Sequence, residues 1–178
     1  MKIFVLLVSS FVVINATAQN TDYLASTGGF GPFKIGMSKA AVEKSLKTNL
    51  KLPNLAKNPD AYECDTVKCK YKELDVELVF SRNYFMNDTT LKVGIREIKS
   101  SSPLLKTKSG IAIGDDKLKI FKSYDHYRLL YVPEWDKQNS SKKAQVYLSD
   151  IDLGTELVFY LYDGRVTGFG AMLQEEGD

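Results

Sequence analysis

The 178-residue chain is short of the side chains on which most enzymes and metal sites depend. It has one histidine, His126, two cysteines, Cys64 and Cys69, and one tryptophan, Trp135. A nucleophile paired with an imidazole base has only His126 to use, and that residue sits in the polar stretch Ser123-Tyr124-Asp125-His126. No G-x-S-x-G is present, and no Lys-Ser/Thr follows Gly28, Gly29 and Gly31 to complete a phosphate cradle. Asp150-Ile151-Asp152-Leu153-Gly154 lacks the further oxygen ligands of a calcium loop and reads as a turn between strands. Asp115 and Asp116 stand where a helix begins, and the helix dipole accounts for carboxylates there. Neither cofactor nor metal is expected, and the protein reads as non-catalytic. The competing reading, a small-ligand carrier or a carboxylate-dependent enzyme, requires a deep pocket with convergent polar groups.

An excess of one charge is also missing. Lys and Arg total 24 against 22 Asp and Glu, a formal net charge of +2. Lys142-Lys143 and the set Lys117, Lys119 and Lys122 are interleaved with acids and read as solvated faces. This excludes the clustered basic surface that nucleic acid requires.

Long apolar runs are lacking except at the start. Lys2 precedes the apolar run 3–14, and Asn15-Ala16-Thr17-Ala18 closes it with small residues. That is the pattern of a cleavable secretion signal, and the run is shorter than the roughly 20 residues a spanning helix needs. No cysteine precedes Cys64, so no lipid anchor is expected. The expectation is a soluble, periplasmic or secreted protein starting near Gln19, with no membrane span.

The two cysteines lie in Tyr62-Glu63-Cys64-Asp65-Thr66-Val67-Lys68-Cys69-Lys70-Tyr71. In an oxidising compartment they read as a disulfide across a short hairpin loop. A metal site would lack ligands, and a redox pair normally has the tighter C-x-x-C spacing. Asp65-Thr66-Val67 and Asp88-Thr89-Thr90 resemble a three-residue O-glycosylation acceptor, but patterns so short carry little weight.

Internal repetition is the main positive feature. Ile35-Gly36-Met37-Ser38-Lys39, leading into Val42 and Leu46, returns 78 residues later as Ile113-Gly114-Asp115-Asp116-Lys117, leading into Ile120 and Tyr124. Ser38 and Asp116 are the expected helix N-caps. Glu77-Leu78-Val79-Phe80 returns 79 residues later as Glu156-Leu157-Val158-Phe159. This pairs Leu78 with Leu157 and Phe80 with Phe159 as equivalent core positions. Period-two alternation puts Leu74, Val76, Leu78 and Phe80 on one face, and likewise Leu157, Phe159 and Leu161. Asp163-Gly164 is a hairpin signal. Pro53, Pro59 and Pro133 rule out long helices in the intervening stretches.

The expected class is α+β: two tandem repeats, each of one or two helices on an antiparallel sheet of about four strands. The expected division is a signal at 1–18, an N-terminal segment at 19–32, repeats at 33–100 and 110–173, a Ser- and Lys-rich linker at 101–109 and a tail at 174–178.

The I-G-M-S-K-x-x-V pattern and its second form, I-G-D-D-K-x-x-I, resemble the helix entry of the β-lactamase inhibitory protein fold, a fold type shared with small outer-membrane-assembly lipoproteins. The tandem unit over 33–173 is similar to that inhibitor, as is a cysteine pair between helix and sheet in the first copy. The second copy departs by having no such pair. The resemblance implies a non-catalytic protein that grips a partner with the concave faces of two adjoining sheets.

The aromatics suggest where. Tyr127, Tyr131 and Trp135 crowd one segment, Tyr147, Tyr160 and Tyr162 fall on strands of the second copy, and Tyr84 and Phe85 sit in a long loop of the first. Exposed aromatics are common anchors of protein interfaces. Tyr124, on the helix face, reads as core. The expected partner is another protein, with the chain as its inhibitor or as an immunity protein. The alternative is a structural or assembly factor of the cell envelope.

Overall fold

The computed structural model describes residues 21–57, 63–83, 91–134 and 142–174. The expected signal, Tyr84, Phe85, Trp135 and the Asp88-Thr89-Thr90 motif lie outside the described residues.

In chain order, a 3-10 turn at Thr21–Tyr23 leads into β1 (Leu24–Ser26), β2 (Gly29–Phe30) and β3 (Phe33–Lys34). Then come α1 (Lys39–Leu46), α2 (Pro53–Lys57), β4 (Cys64–Tyr71), β5 (Leu74–Asn83) and β6 (Lys92–Ser100). The remainder is β7 (Lys106–Thr107), α3 (Lys117–Ser123), β8 (Leu129–Pro133), β9 (Lys143–Asp150), β10 (Thr155–Tyr162) and β11 (Arg165–Leu173). The class is α+β, dominated by sheet.

Seven strands form one sheet in the order β4-β5-β6-β11-β10-β9-β8, with every neighbouring pair antiparallel. The sequence leads one to expect two adjoining sheets. Instead β6 and β11 pair from Glu97↔Met172 to Ser100↔Phe169, so three strands of the first half and four of the second share one ladder. Pairing these inner strands satisfies backbone groups that two separate sheets would leave on open edges.

A small second sheet has the order β3-β2-β1-β7, in which β1 and β7 run parallel. Its strand β7 falls within the stretch 101–109, expected as a linker. Thr107 lies beside Ala25, and Leu105 and Thr107 are buried. Leu105 supplies apolar surface there, and Thr107 Oγ1 accepts from the Ile111 N–H at 3.1 Å.

Helices α1 and α3 start as their caps predict. Ser38 Oγ accepts from the Ala41 N–H at 3.4 Å, and Asp116 Oδ1 from the Leu118 N–H at 2.8 Å. Each entry is also clamped to the last strand of its half. The Gly36 N–H donates to Ile95 O, and the Ile95 N–H to Met37 O. The Gly114 N–H donates to Val166 O, and the Val166 N–H to Asp115 O. Gly36 and Gly114 have φ of 80° and 89°, where a side chain is strained. Just beyond each clamp the sheet carries a bulge: Arg96 is the extra residue on β6 opposite Val79 and Phe80, and Thr167 is the extra residue on β11 opposite Tyr160 and Leu161.

The clamp and the bulge place Phe80 level with Leu161 and Leu78 level with Phe159. The expected pairings Leu78–Leu157 and Phe80–Phe159 are therefore corrected by two residues. A shift of two keeps each side chain on its own face, so the hydrophobic pattern could not reveal it.

One continuous core spans both halves and includes Val42, Phe80, Ile98, Ile120, Phe159 and Phe169. Tyr124 is buried there, its ring 6.0 Å from Phe159. Asp163 and Gly164 form the β10–β11 turn with φ of 51° and 74°, the sign a two-residue hairpin turn needs.

The cysteine expectation is overturned. Cys64 and Cys69 are both free and lie on one strand, β4, five positions apart. That puts their Cα atoms about 16 Å apart on opposite faces, where a disulfide tolerates about 7 Å at most. The hairpin turn falls later, at Lys72-Glu73, with Lys72 at φ 53°. The β-branched pair Thr66-Val67 continues the strand past Asp65.

Candidate functional site

Alternation divides the large sheet into a face packed on the core and an open face. Cross-strand register sets the open face in rows. One row reads Leu130, Tyr147, Val158, Gly170, Lys99, Glu77 and Lys68 from β8 to β4. Its second-half end is apolar and aromatic, and its first-half end is charged. Lys68 and Glu77 form an ion pair at 3.6 Å, Lys70 and Asp75 one at 3.8 Å, and Lys99 and Glu97 one at 2.9 Å.

Tyr147, Tyr160 and Tyr162 all lie on this open face, but in different states. Tyr162 is 45% exposed at the end of β10. Tyr147 is half-buried, and its hydroxyl donates to Gln145 Oε1 at 2.5 Å. The Gln145 amide in turn donates to Glu134 Oε1 at 2.8 Å. Val158, on the same face, is fully buried between the Tyr147 and Gly170 positions.

Tyr160 is not a free anchor. Its ring lies across β11 over Gly168 and Gly170, and a Cβ at Gly170 would come within 2.8 Å of its hydroxyl. That hydroxyl reaches Glu97 on β6 through a long 3.5 Å hydrogen bond. The ring thus straps the second half to the first. Burial first, then the Glu97 carboxylate, hold the phenol neutral well above its usual range.

Tyr127 and Tyr131 lie on the helix side of the sheet. Tyr131 is 43% exposed, set edge-on to Phe121 with ring centres 6.3 Å apart, and Lys117 Nζ stands 5.6 Å from its ring. Tyr127 is 62% exposed and packs edge-on against Tyr124. The predicted aromatics therefore make two surfaces that meet at the edge strand β8. Leu130, 57% exposed, and Val132 complete the apolar lining of that edge. Neither was among the expected contact residues, although the short apolar run Leu129-Leu130-Tyr131-Val132 before Pro133 fits a strand.

A groove of about 730 Å³ opens on the open face where β6 and β11 part beyond Ser100 and Phe169. Lys68, Glu77, Lys99, Tyr160 and Thr167 line it. Its polar groups are mostly committed to each other in the ion pairs above. Cys69 borders it, and burial pushes that thiol up to about 11, which leaves almost no thiolate at neutral pH. Among the described residues no group of three His, Cys, Asp or Glu is placed to hold a metal ion. His126 is exposed beside Asp125, 3.4 Å away. Residues 151–154 are a turn between β9 and β10, with Asp150 Oδ1 accepting from the Leu153 N–H. Among the described residues no helix is long and apolar enough to cross a membrane.

No family model, curated protein or solved structure matches the chain.

Proposed function

We propose that the protein is an exported, duplicated protein-binding module that acts on its partner through the open face of the seven-stranded sheet. Inhibition of that partner, or neutralisation of a toxin, is the role this surface suits. The observation that carries the reading is the uncovered apolar end of the face, where Tyr162, Leu130 and Val132 are exposed beside half-buried Tyr147. Monomers seldom spend large apolar side chains on solvent in contiguous sets. Aromatics on a rigid sheet make anchors at low entropic cost.

Duplication is supported by the matching helix clamps, the matching N-caps and the bulge at the same level of each half. The resemblance to the β-lactamase inhibitory protein fold rests on the two helix-entry motifs and points to the same face. Export rests on the pattern of residues 1–18.

The test is capture from an envelope extract with the mature protein as bait. Tyr162→Ala and Leu130→Ala should each lose the partner. Leu118→Ala, equally exposed but on α3 behind the sheet, should keep it. Equal recovery by all three variants would refute the assignment of the face.

A further inference from the structure

The backbone of β8 specifies what can pair with it. The Glu134 N–H donates to Lys143 O at 3.0 Å, and the Ser149 N–H to Arg128 O at 3.3 Å. In an antiparallel ladder such pairs alternate, so Arg128, Leu130, Val132 and Glu134 turn their backbone groups toward β9. Leu129, Tyr131 and Pro133 turn theirs outward. Among the described residues nothing pairs with that outer side, since β8 ends the sheet and no isolated bridge reaches it. Pro133, which has no N–H, falls in the outward set, where it breaks no bond to β9.

We propose that this edge pairs with the β8 edge of a second copy, antiparallel and centred on Tyr131, joining two seven-stranded sheets into one. Charge complementarity selects the partner and the register. Centred there, Arg128 of each copy lies opposite Glu134 of the other, and Leu130 lies opposite Val132. On the helix side, Tyr131 meets Tyr131 and Leu129 meets Pro133. The outward N–H groups of Leu129 and Tyr131 in both copies then find acceptors in the Pro133 and Tyr131 carbonyls. Moving the centre by one residue to Leu130 keeps the hydrogen bonds but sets Arg128 against Val132. Arg128 is exposed, and Glu134 is held toward the same face by Gln145. A symmetric edge contact of this kind closes on itself and stops at two copies. It buries little surface, so the dimer is weak and depends on concentration. The inference goes beyond the binding reading of the open face and needs only β8.

Analytical ultracentrifugation of the mature protein at low salt, from micromolar to millimolar concentration, tests it. The expected result is a reversible monomer–dimer equilibrium. Arg128→Glu alone and Glu134→Arg alone each set like charges opposite one another twice, and each should weaken the dimer about tenfold or more. The double variant Arg128→Glu with Glu134→Arg restores opposite signs and should recover the parent affinity to within about threefold. Circular dichroism confirms that the variants fold. A monomer throughout the range, a dimer indifferent to both single reversals, or a double variant no tighter than the singles would overturn the proposal.

Discussion

The large sheet ends in two edges of opposite character. β4 projects Lys68 and Lys70 into solvent and is covered at its Cys64 end by α2. The buried Asp65 carboxylate accepts from the Asn54 and Leu55 N–H groups at 3.2 and 2.9 Å, and Arg82 donates to Leu55 O at 2.6 Å. Those contacts fasten α2 over the edge. β8 carries Leu130, Tyr131 and Val132 with no lysine and no covering helix among the described residues. Lysines and covering elements are how proteins close a sheet edge against other strands. One edge is thus closed by charge and a helix, and the other is left able to pair.

The sharpest way to break this contrast is to unfasten α2. Asp65→Ala leaves two helix N–H groups without an acceptor and should cost about 2 kcal/mol in urea unfolding. Faster amide exchange at Asn54 and Leu55 should accompany it. A loss under about 0.5 kcal/mol would show that α2 holds without its cap.

The two helix entries differ as well. Met37 in the first half corresponds to Asp115 in the second, where Oδ2 accepts from Lys119 Nζ at 2.7 Å and from the Ala112 N–H at 2.8 Å. The Lys119 hydrogen bond, then the Ala112 N–H, hold the Asp115 carboxyl below its usual range despite an opposing desolvation cost. A depressed carboxylate stabilises the fold above its unfolded pKa, and that contribution fades as pH falls through the folded value. Asp115→Asn should therefore flatten the acid limb of a melting-temperature profile and shrink the difference from the parent at low pH. A gap that stays constant as pH falls would exclude the ionic contribution.

Smallest in stability, and most direct on the comparison, is Lys68→Val with Lys70→Val. Unfolding free energy should move by less than about 0.5 kcal/mol, while light scattering shows association beyond that of the parent. With both edges then open, growth should run past two copies. Unchanged scattering would mean that the lysines do not guard β4.

Much of the fold was legible where one residue type settles a local question. Ser38, Asp116 and Asp163-Gly164 marked caps and a turn, and the alternation in β5 and β10 marked the core face. The seam between β6 and β11 left no such mark, because pairing between distant strands is fixed by packing that no short pattern encodes. The cysteine spacing misled because a five-residue interval fits a hairpin as well as a single strand, and only Lys72 at positive φ shows where the chain turns. In the candidate site, the exposure of Tyr162 was readable from its strand. The fate of Tyr160 was not, since it depends on Gly168 and Gly170 lying on the next strand beneath its ring.

The seam has a consequence for the order in which the molecule assembles. Every other contact in the large sheet joins strands that follow one another along the chain, so β4-β5-β6 and β8-β9-β10-β11 can each form by closing short loops. β6 and β11 lie far apart in sequence, and their pairing must await a much larger loop closure. Until it occurs, two half-sheets each expose an inner edge that the finished protein hides. During that interval the described strands of the large sheet leave three edges free to mispair, β6, β8 and β11, and afterwards β8 alone of these.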